Sequence, residues 1–282
     1  MLAQAATTIK AINSALAKPF VATAEKLRGQ GKTVTPEQGS SRFVAEFTRS
    51  RRVILRAQRL RYRVFSEEYG ASIKAPFGID RDRYDKHCRH LVVRDTATGE
   101  LVGYTRVLTG EASLRAGGFY SASEFDLAAL AVLPGRVAEL GRTCIHPAHR
   151  GGAVITLLWS RLAQFMLEEQ IDYLIGCASV GLDEGYDVAA IAADIRARHL
   201  APLPWRVTPR LALERVSDGG GGSARMPALL KAYLRMGSKV CGEPCWDPDF
   251  NCIDFLVLLA VSDLPSRYVQ HFLTPGPLAR AS

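Results

Sequence analysis

Long apolar runs, a secretory leader and clustered metal ligands are all missing from this sequence. The longest apolar run, residues 255–261, is far too short to span a bilayer. The first residues lack the basic stretch and continuous apolar core that mark a secretory signal. The six cysteines are scattered, and Cys241, Cys245 and Cys252 fit no common zinc spacing. We therefore predict a cytoplasmic protein with reduced cysteines and no metal site.

Acidic residues are absent from residues 49–63, where seven arginines occur. The whole chain of 282 residues carries a formal net charge of +8, so an acidic partner is expected. No aromatic residues interleave with these arginines at a stacking spacing, which disfavours nucleic acid. An acidic carrier protein and an anionic membrane surface are the partners that remain.

The chain divides into a leading segment, a main domain and a short tail. In residues 1–41 a basic helix with apolar residues at helical spacing precedes a linker, and it could lie on a membrane or pack on the domain. Residues 42–273 alternate strand and helix patterns, interrupted by a glycine loop at 217–223, and residues 274–282 form the tail. This order predicts an α/β domain with a mixed, mainly antiparallel sheet flanked by helices.

The central unit, residues 139–179, reads as strand, turn, helix and strand. The strand at 139–146 is followed by Arg150, Gly151, Gly152 and Ala153, which open an amphipathic helix. Two glycines at a helix N-terminus let backbone N–H groups approach an anion, and the helix dipole adds to the attraction. The sequence therefore predicts a phosphate cradle at this turn.

Two groups of carboxylates could carry chemistry. Glu139 stands three residues before Arg142 on the strand that leads to the cradle, so it could act as a general base. Asp82 and Asp85 suit recognition of an amino group, because a desolvated ammonium needs charged acceptors. The alternatives are a solvated ion pair for Glu139 and an exposed loop of mixed charge for the aspartates.

Together these residues resemble the GCN5-related N-acyltransferase (GNAT) superfamily, in the branch of N-acyl-homoserine-lactone synthases and long-chain N-acyl amino acid synthases. The branch pattern matches residues in the required order: Arg61 and Phe65, Asp82 and Asp85, Arg106, Glu139 and Arg142. The sequence is also similar to that of the ornithine acyl-carrier-protein N-acyltransferases, sometimes labelled hemolysin-like. The matching stretches are residues 139–147, 152–159, 172–179, 229–237 and 241–250. This resemblance covers residues 42–273 and implies a GNAT fold.

The resemblance also implies a reaction. A 3-hydroxyacyl chain would move from acyl carrier protein to the α-amino group of ornithine, which gives lyso-ornithine lipid. Glu139 would be the general base, and Tyr186, which follows the second strand, is the candidate to protonate the leaving thiolate. The acceptor would contact residues from the family pattern: Arg61, Phe65, Asp82, Asp85, Arg106 and Arg142.

The donor is expected to be acyl-phosphopantetheine on the carrier protein, seated at Arg150–Gly151–Gly152–Ala153, with no further cofactor. The glycine array is shorter than the usual coenzyme A cradle, so coenzyme A is the less expected donor. An amphiphilic product would also suit peripheral attachment to the inner face of the cytoplasmic membrane.

Three alternatives stay open from sequence. The acceptor could be another amino acid or an amine, because no motif reports the shape of its pocket. The product could be a lactone signal. From a different class, the chain could be a membrane-active, hemolysin-like protein without catalysis, for which its basic amphipathic start is the supporting feature.

Overall fold

The computed structural model describes residues 42–69, 75–213 and 225–265. The predictions for residues 1–41, for the glycine loop at 217–223 and for the tail at 274–282 lie outside the described residues. In the part that is described, no helix combines the length and hydropathy that crossing a membrane requires.

The described chain contains ten strands and five α-helices, linked by several 3₁₀ turns. The strands are β1 Phe43–Thr48, β2 Arg89–Asp95, β3 Leu101–Thr109, β4 Phe125–Asp126, β5 Val137–Ile145, β6 Tyr173–Gly181, β7 Thr208–Pro209, β8 Lys239–Val240, β9 Cys245–Asp247 and β10 Cys252–Ala260. The helices are α1 Arg51–Tyr69, α2 Gly110–Ala116, α3 Ala153–Glu168, α4 Val188–Arg198 and α5 Ala228–Arg235.

Eight strands form one sheet in the order β1-β2-β3-β5-β6-β10-β8, with β9 also paired to β10. All its neighbours are antiparallel except β5 and β6, which run parallel. β4 and β7 form a separate two-stranded sheet. The predicted mixed, mainly antiparallel sheet is therefore confirmed.

Helices cover both faces of the large sheet. α1 packs on one face, where Ala57, Leu60 and Val64 meet Val92 and Tyr104. α3 packs on the other face through the predicted apolar stripe, which is buried: Val154, Leu158, Leu162, Phe165 and Met166. Helices α4 and α5 pack on that second face against alternate residues of β6 and β10, such as Ala178 and Phe255. We call the side that carries α1 the front face.

The predicted helices and strands agree with the observed ones where the hydrophobic periodicity of the sequence is strong. The sequence of residues 183–200 predicts a helix, but α4 begins only at Val188, because Gly185 adopts φ +68 and Asp187 caps the helix by accepting from Ala190 N–H. Helix α2 was not predicted, although Thr109 accepts from Ala112 N–H at its start and Gly117 ends it in the left-handed region. The 3₁₀ turns Tyr120–Ser123 and Ala128–Val132, also unpredicted, lie beside the site on the front face.

Candidate active site

The site begins where β5 and β6 stop pairing. These parallel strands are in register for three residues, Val137–Glu139 opposite Tyr173–Ile175. They still approach closely one residue later, since a Cβ on Gly176 would lie 2.7 Å from the Leu140 carbonyl oxygen. Further on, Arg142 and Thr143 on one side and Cys177 and Ser179 on the other are only half-buried. The break in pairing therefore leaves a gap between the strands that solvent reaches.

Glu139 lies at the inner end of this gap and is 3% exposed. Its oxygens accept hydrogen bonds from the backbone N–H of Tyr120, at 2.6 Å, and of Ser121, at 2.8 Å. Burial raises the pKa of Glu139, and the bonds from Ser121 and Tyr120 partly oppose that rise. A fixed carboxylate with an elevated pKa is suited to accept a proton from an amine near neutral pH.

Arg106 connects the predicted aspartates into one network. Its Nη1 and Nη2 donate to both oxygens of Asp82, at 2.7 and 2.6 Å, and Nη1 also donates to Asp85 at 2.7 Å. Arg61 donates to Asp85 at 2.7 Å and to Asp80 at 2.9 Å. Both arginines and Asp85 are buried, so each charge depends on its partners for compensation.

The aspartates in this network are fully engaged. Asp85 Oδ2 accepts from Gln58 and from the Asp82 backbone N–H, while Asp82 Oδ1 accepts from the Tyr84 and Asp85 N–H groups. Burial alone would raise the pKa of Asp85, but the charges of Arg61 and Arg106 outweigh it and lower that pKa. The structure thus brings Asp82 and Asp85 together with arginines; their predicted contact with an acceptor ammonium stays a prediction.

Arg142 forms the rim of the gap. It lies in a bulge in the pairing of β3 with β5, where Arg142 and Thr143 oppose Thr105, and its φ of +54 turns its side chain out of the strand alternation. The guanidinium lies 4.7 Å from the ring centroids of Tyr120 and Phe250. Its ion pairs with Asp80 and Asp82 are long, at 3.4 and 3.7 Å, so Arg142 is held less tightly than Arg106.

Phe65 belongs to the packing behind this rim. It is buried in the cluster between α1 and the sheet, and its ring meets Phe250 edge-on at 6.0 Å. Because Phe250 also contacts Arg142, Phe65 supports the site from behind and is separated from the gap by that ring.

The predicted phosphate cradle lies at the start of α3. Gly152 is the N-cap residue with φ +99 and no side-chain cap, and a Cβ on Gly151 or Gly152 would meet no atom within 4 Å. Arg150 donates through Nε and Nη2 to the Ile145 carbonyl oxygen at the end of β5. The turn leaves the first N–H groups of a 16-residue helix, beginning at Ala153, facing open space.

Tyr186 lies away from these groups. It packs with residues such as Val180 and Ile191 on the face that carries α3, and the guanidinium of Arg225 lies over its ring at 5.1 Å. Glu139 pairs with Ile175, whose side chain points to the front face because side chains alternate along a strand. The structure does not bring Tyr186 and Glu139 together.

Sequence reasoning missed a second acidic group on the front face. Glu124, Asp247 and Asp254 are buried, and we call them the acidic trio. Asp254 stands opposite Ser179, whose hydroxyl donates to it at 2.6 Å, and the Cys177 thiol donates to Glu124 at 3.1 Å. Asp254 had one available signal, since it is the single charged residue in the apolar strand β10. Glu124, in a loop, had none.

A largely apolar cavity of about 480 Å³ continues from the inner end of the gap. It is lined by Val137 and Ile175, which flank Glu139 along the paired strands, and by Phe119, next to the residue that donates to Glu139. Leu127, Leu130 and Leu133 from the 3₁₀ segment close another side. The volume falls in the range of small-molecule sites, about 300–1,000 Å³.

Comparison with known proteins places this geometry in a family. The model of the acetyltransferase (GNAT) domain matches residues 60–160. The L-ornithine N(alpha)-acyltransferase of Rhodobacter capsulatus is 34% identical over 247 residues, which cover 82% of this chain and 94% of the relative. The enzyme of the same name from Brucella abortus is 33% identical over 252 residues, with 79% and 86% covered.

Solved structures share the fold at low identity. An N-acyl amino acid synthase from uncultured soil microbes, FeeM, superposes with a TM-score of 0.50 at 15% identity and covers 82% of this chain and 96% of its own. The AHL synthase LasI gives a TM-score of 0.51 at 14% identity, with 86% and 100% covered. The GNAT fold is thereby confirmed, and the chain belongs to the L-ornithine N(alpha)-acyltransferase family as an acyltransferase enzyme.

Proposed function

We propose that this enzyme transfers a 3-hydroxyacyl chain from acyl carrier protein to the α-amino group of ornithine, giving lyso-ornithine lipid. The observation that carries the proposal is the position of Glu139, a buried carboxylate at the inner end of a gap between parallel strands. The names of the relatives support ornithine as the acceptor.

The chemistry follows from what faces the gap. Glu139, directly or through water, accepts a proton from the α-ammonium, and the neutral amine attacks the thioester carbonyl carbon. A backbone N–H of β5 beyond its pairing with β6 stabilises the oxyanion. The C–S bond then breaks and the amide forms, while the nitrogen releases its second proton to water. The leaving thiolate takes a proton from solvent, and Tyr186, which packs on the face that carries α3, is a second candidate donor.

Arg142 is the better candidate than Arg106 to bind the acceptor carboxylate. Both terminal nitrogens of Arg106 donate to Asp82 or Asp85, whereas the ion pairs of Arg142 with Asp80 and Asp82, at the half-buried rim, are longer. In this arrangement Asp82, Asp85 and Arg61 are positioning residues. Asp82 and Asp85 hold Arg106, Arg61 holds Asp85, and Asp82 also pairs with the Arg142 guanidinium.

The donor would enter from the other end of the gap. The pantetheine phosphate would rest on the N–H groups at Gly152 and Ala153, and the acyl chain would extend past Glu139 into the apolar cavity. Five arginines of α1 are exposed and would attract an acidic carrier protein: Arg51, Arg52, Arg56, Arg59 and Arg63. Attachment to a membrane surface is a further prediction, based on residues 1–41.

The deciding experiment supplies purified enzyme with 3-hydroxyacyl carrier protein and single amino acids, followed by mass spectrometry of the lipid products. N-acylation of ornithine in preference to glutamine, lysine and glycine is expected. Acylation of a different acceptor, or transfer from coenzyme A alone, would overturn the corresponding part of the proposal. Absence of acyl transfer to every amino acid would overturn all of it.

A further inference from the structure

The acidic trio, Glu124, Asp247 and Asp254, has no part in the mechanism above and lacks a cation. Across residues 42–69, 75–213 and 225–265, no lysine or arginine lies within 4.0 Å of any of the three carboxylates. Asp80, Asp82 and Asp85, by contrast, are each paired with an arginine. The two acidic groups are therefore built differently.

Glu124 shows most directly that the trio lacks hydrogen-bond donors. It is 8% exposed, and its Oε1 has no hydrogen-bond donor among the described residues. Its other oxygen receives only the thiol of Cys177, a weak donor. A buried carboxylate oxygen without a donor costs free energy that the folded protein must recover, either by protonation or by a cation from outside.

The trio is buried next to the gap. Ser179 and Cys177, which bond to Asp254 and Glu124, are the half-buried residues of β6 that border it. Arg142 stands on the facing strand, and its charge acts on all three carboxylates. A small molecule in the gap can therefore touch Arg142 and the trio together.

We propose that the acidic trio binds the side-chain ammonium of the acceptor amino acid and so selects a diamino acid over a neutral one. The inference rests on the proposed function, because it assumes an amino acid in the gap. The acceptor carboxylate lies at Arg142, the α-amine points to Glu139, and the second ammonium donates to Glu124 Oε1 and to Asp254. Burial is the main cause that raises the pKa values of Glu124 and Asp254. A bound ammonium would stabilise the charged form of both carboxylates.

Selectivity then follows from the cost of an unpaired charge. An acceptor with the same five-carbon skeleton but no side-chain ammonium, norvaline, would leave the trio without its cation. Sites that hydrogen-bond a polar group of the substrate reject analogues that lack it far more strongly than apolar pockets reject a missing methylene.

The test compares L-ornithine with L-norvaline as acceptors, with acyl carrier protein thioester held saturating. Wild-type enzyme should prefer ornithine in kcat/KM. Glu124→Gln and Asp254→Asn should each reduce that preference by about 10-fold to 100-fold, the scale of a lost charge-assisted hydrogen bond. The change should appear in the KM for ornithine, with the KM for the donor and the rate with norvaline maintained. Glu168→Gln, at the exposed end of α3, is the matched control.

Every other outcome of this comparison has a single interpretation. Equal losses with both acceptors in a folded variant would show a catalytic or structural role and overturn the inference, as would an unchanged preference. Activity that EDTA abolishes and a divalent cation restores would assign the trio to a metal, which Asp247, Cys252 and Asp254 could ligate. If Asp254→Asn does not fold, Glu124→Gln alone decides. If the wild-type enzyme acylates lysine but not ornithine, the proposed acceptor is wrong, but the role of the trio in binding a side-chain ammonium is supported. If it uses norvaline and ornithine equally well, that role of the trio is overturned.

Discussion

Arg106 and Asp82 form a two-pronged ion pair, Nη1 to Oδ1 at 2.7 Å and Nη2 to Oδ2 at 2.6 Å, on the front face of the sheet. Arg106 also donates to Asp85, so one guanidinium bridges the two carboxylates, and Arg61 supplies a second positive charge at Asp85. Arg106 is therefore a residue that builds the site, whereas Glu139 and Arg142 are the residues proposed to contact the acceptor.

Replacing Arg106 should therefore lower the stability of the folded protein. Arg106→Met leaves Asp82 and Asp85 short of a cation, and breaking a buried pair in this way costs about 3–5 kcal/mol. The free energy of unfolding, measured by urea denaturation, should fall by that amount. Arg115→Met, which removes an exposed pair with Glu111, is the control and should change stability by less than about 1 kcal/mol. A stable Arg106→Met enzyme with a raised amino-acid KM would instead place Arg106 on the acceptor.

Glu139→Gln should lower kcat by at least about 100-fold, the usual contribution of a general base. The N–H groups of Tyr120 and Ser121 bond to different oxygens of Glu139, so the amide keeps one of these bonds and loses the other. A modest fall in thermal stability is therefore expected and is measured in parallel. An activity close to wild type in the folded variant would remove Glu139 from the proton transfer.

Gly152→Ala should weaken the seat of the donor phosphate. Gly152 has φ +99, where a side chain is strained by about 1–3 kcal/mol, so the start of α3 should shift. The KM for acyl carrier protein should rise while the KM for ornithine stays constant in steady-state assays. Gly99→Ala is matched, because Gly99 has φ +70 in the turn between β2 and β3 with equally open space. The same rise in both variants would mean that general destabilisation is responsible.

Raising the pH from about 5 to about 8 should reduce the free energy of unfolding, partly through the acidic trio. Burial, with Asp254 adjacent, raises the pKa of Glu124 to about 8, and burial raises that of Asp254 to about 6. The folded state then holds more protons than the unfolded state across this range, so its stability falls as pH rises. Glu124→Gln cannot titrate and should show a flatter slope in denaturation curves at several pH values. Parallel slopes for the two proteins would contradict the elevated pKa.

Replacing Arg52 and Arg59 with glutamate should weaken association with the carrier protein. Both are exposed on α1, and charge at the rim of an interface controls the association rate and its salt dependence. The KM for acyl carrier protein should rise, and its increase with ionic strength should become smaller than in the wild type. Lys231→Glu, a charge reversal on α5, is the control. An effect of equal size there would indicate a response to net charge alone.

The sequence by itself determined the elements with strong periodicity or punctuation. The apolar stripe on α3 and the glycine turn at Gly151 and Gly152 depend on neighbours a few residues apart, which the sequence displays directly. The order of Arg61, Asp82, Asp85, Arg106, Glu139 and Arg142 was also readable, because it follows a family pattern.

Only the tertiary structure decided which of these groups face each other. Arg61 and Arg106 both pair with Asp85, and Tyr186 lies on the face opposite Glu139. Glu124 and Asp254 come close enough on the front face for their charges to interact. Such contacts depend on strand register and on which face a side chain occupies, and a shift of one residue reverses that face. The gap beside Glu139 has the same origin, since it arises where two strands distant in sequence cease to pair.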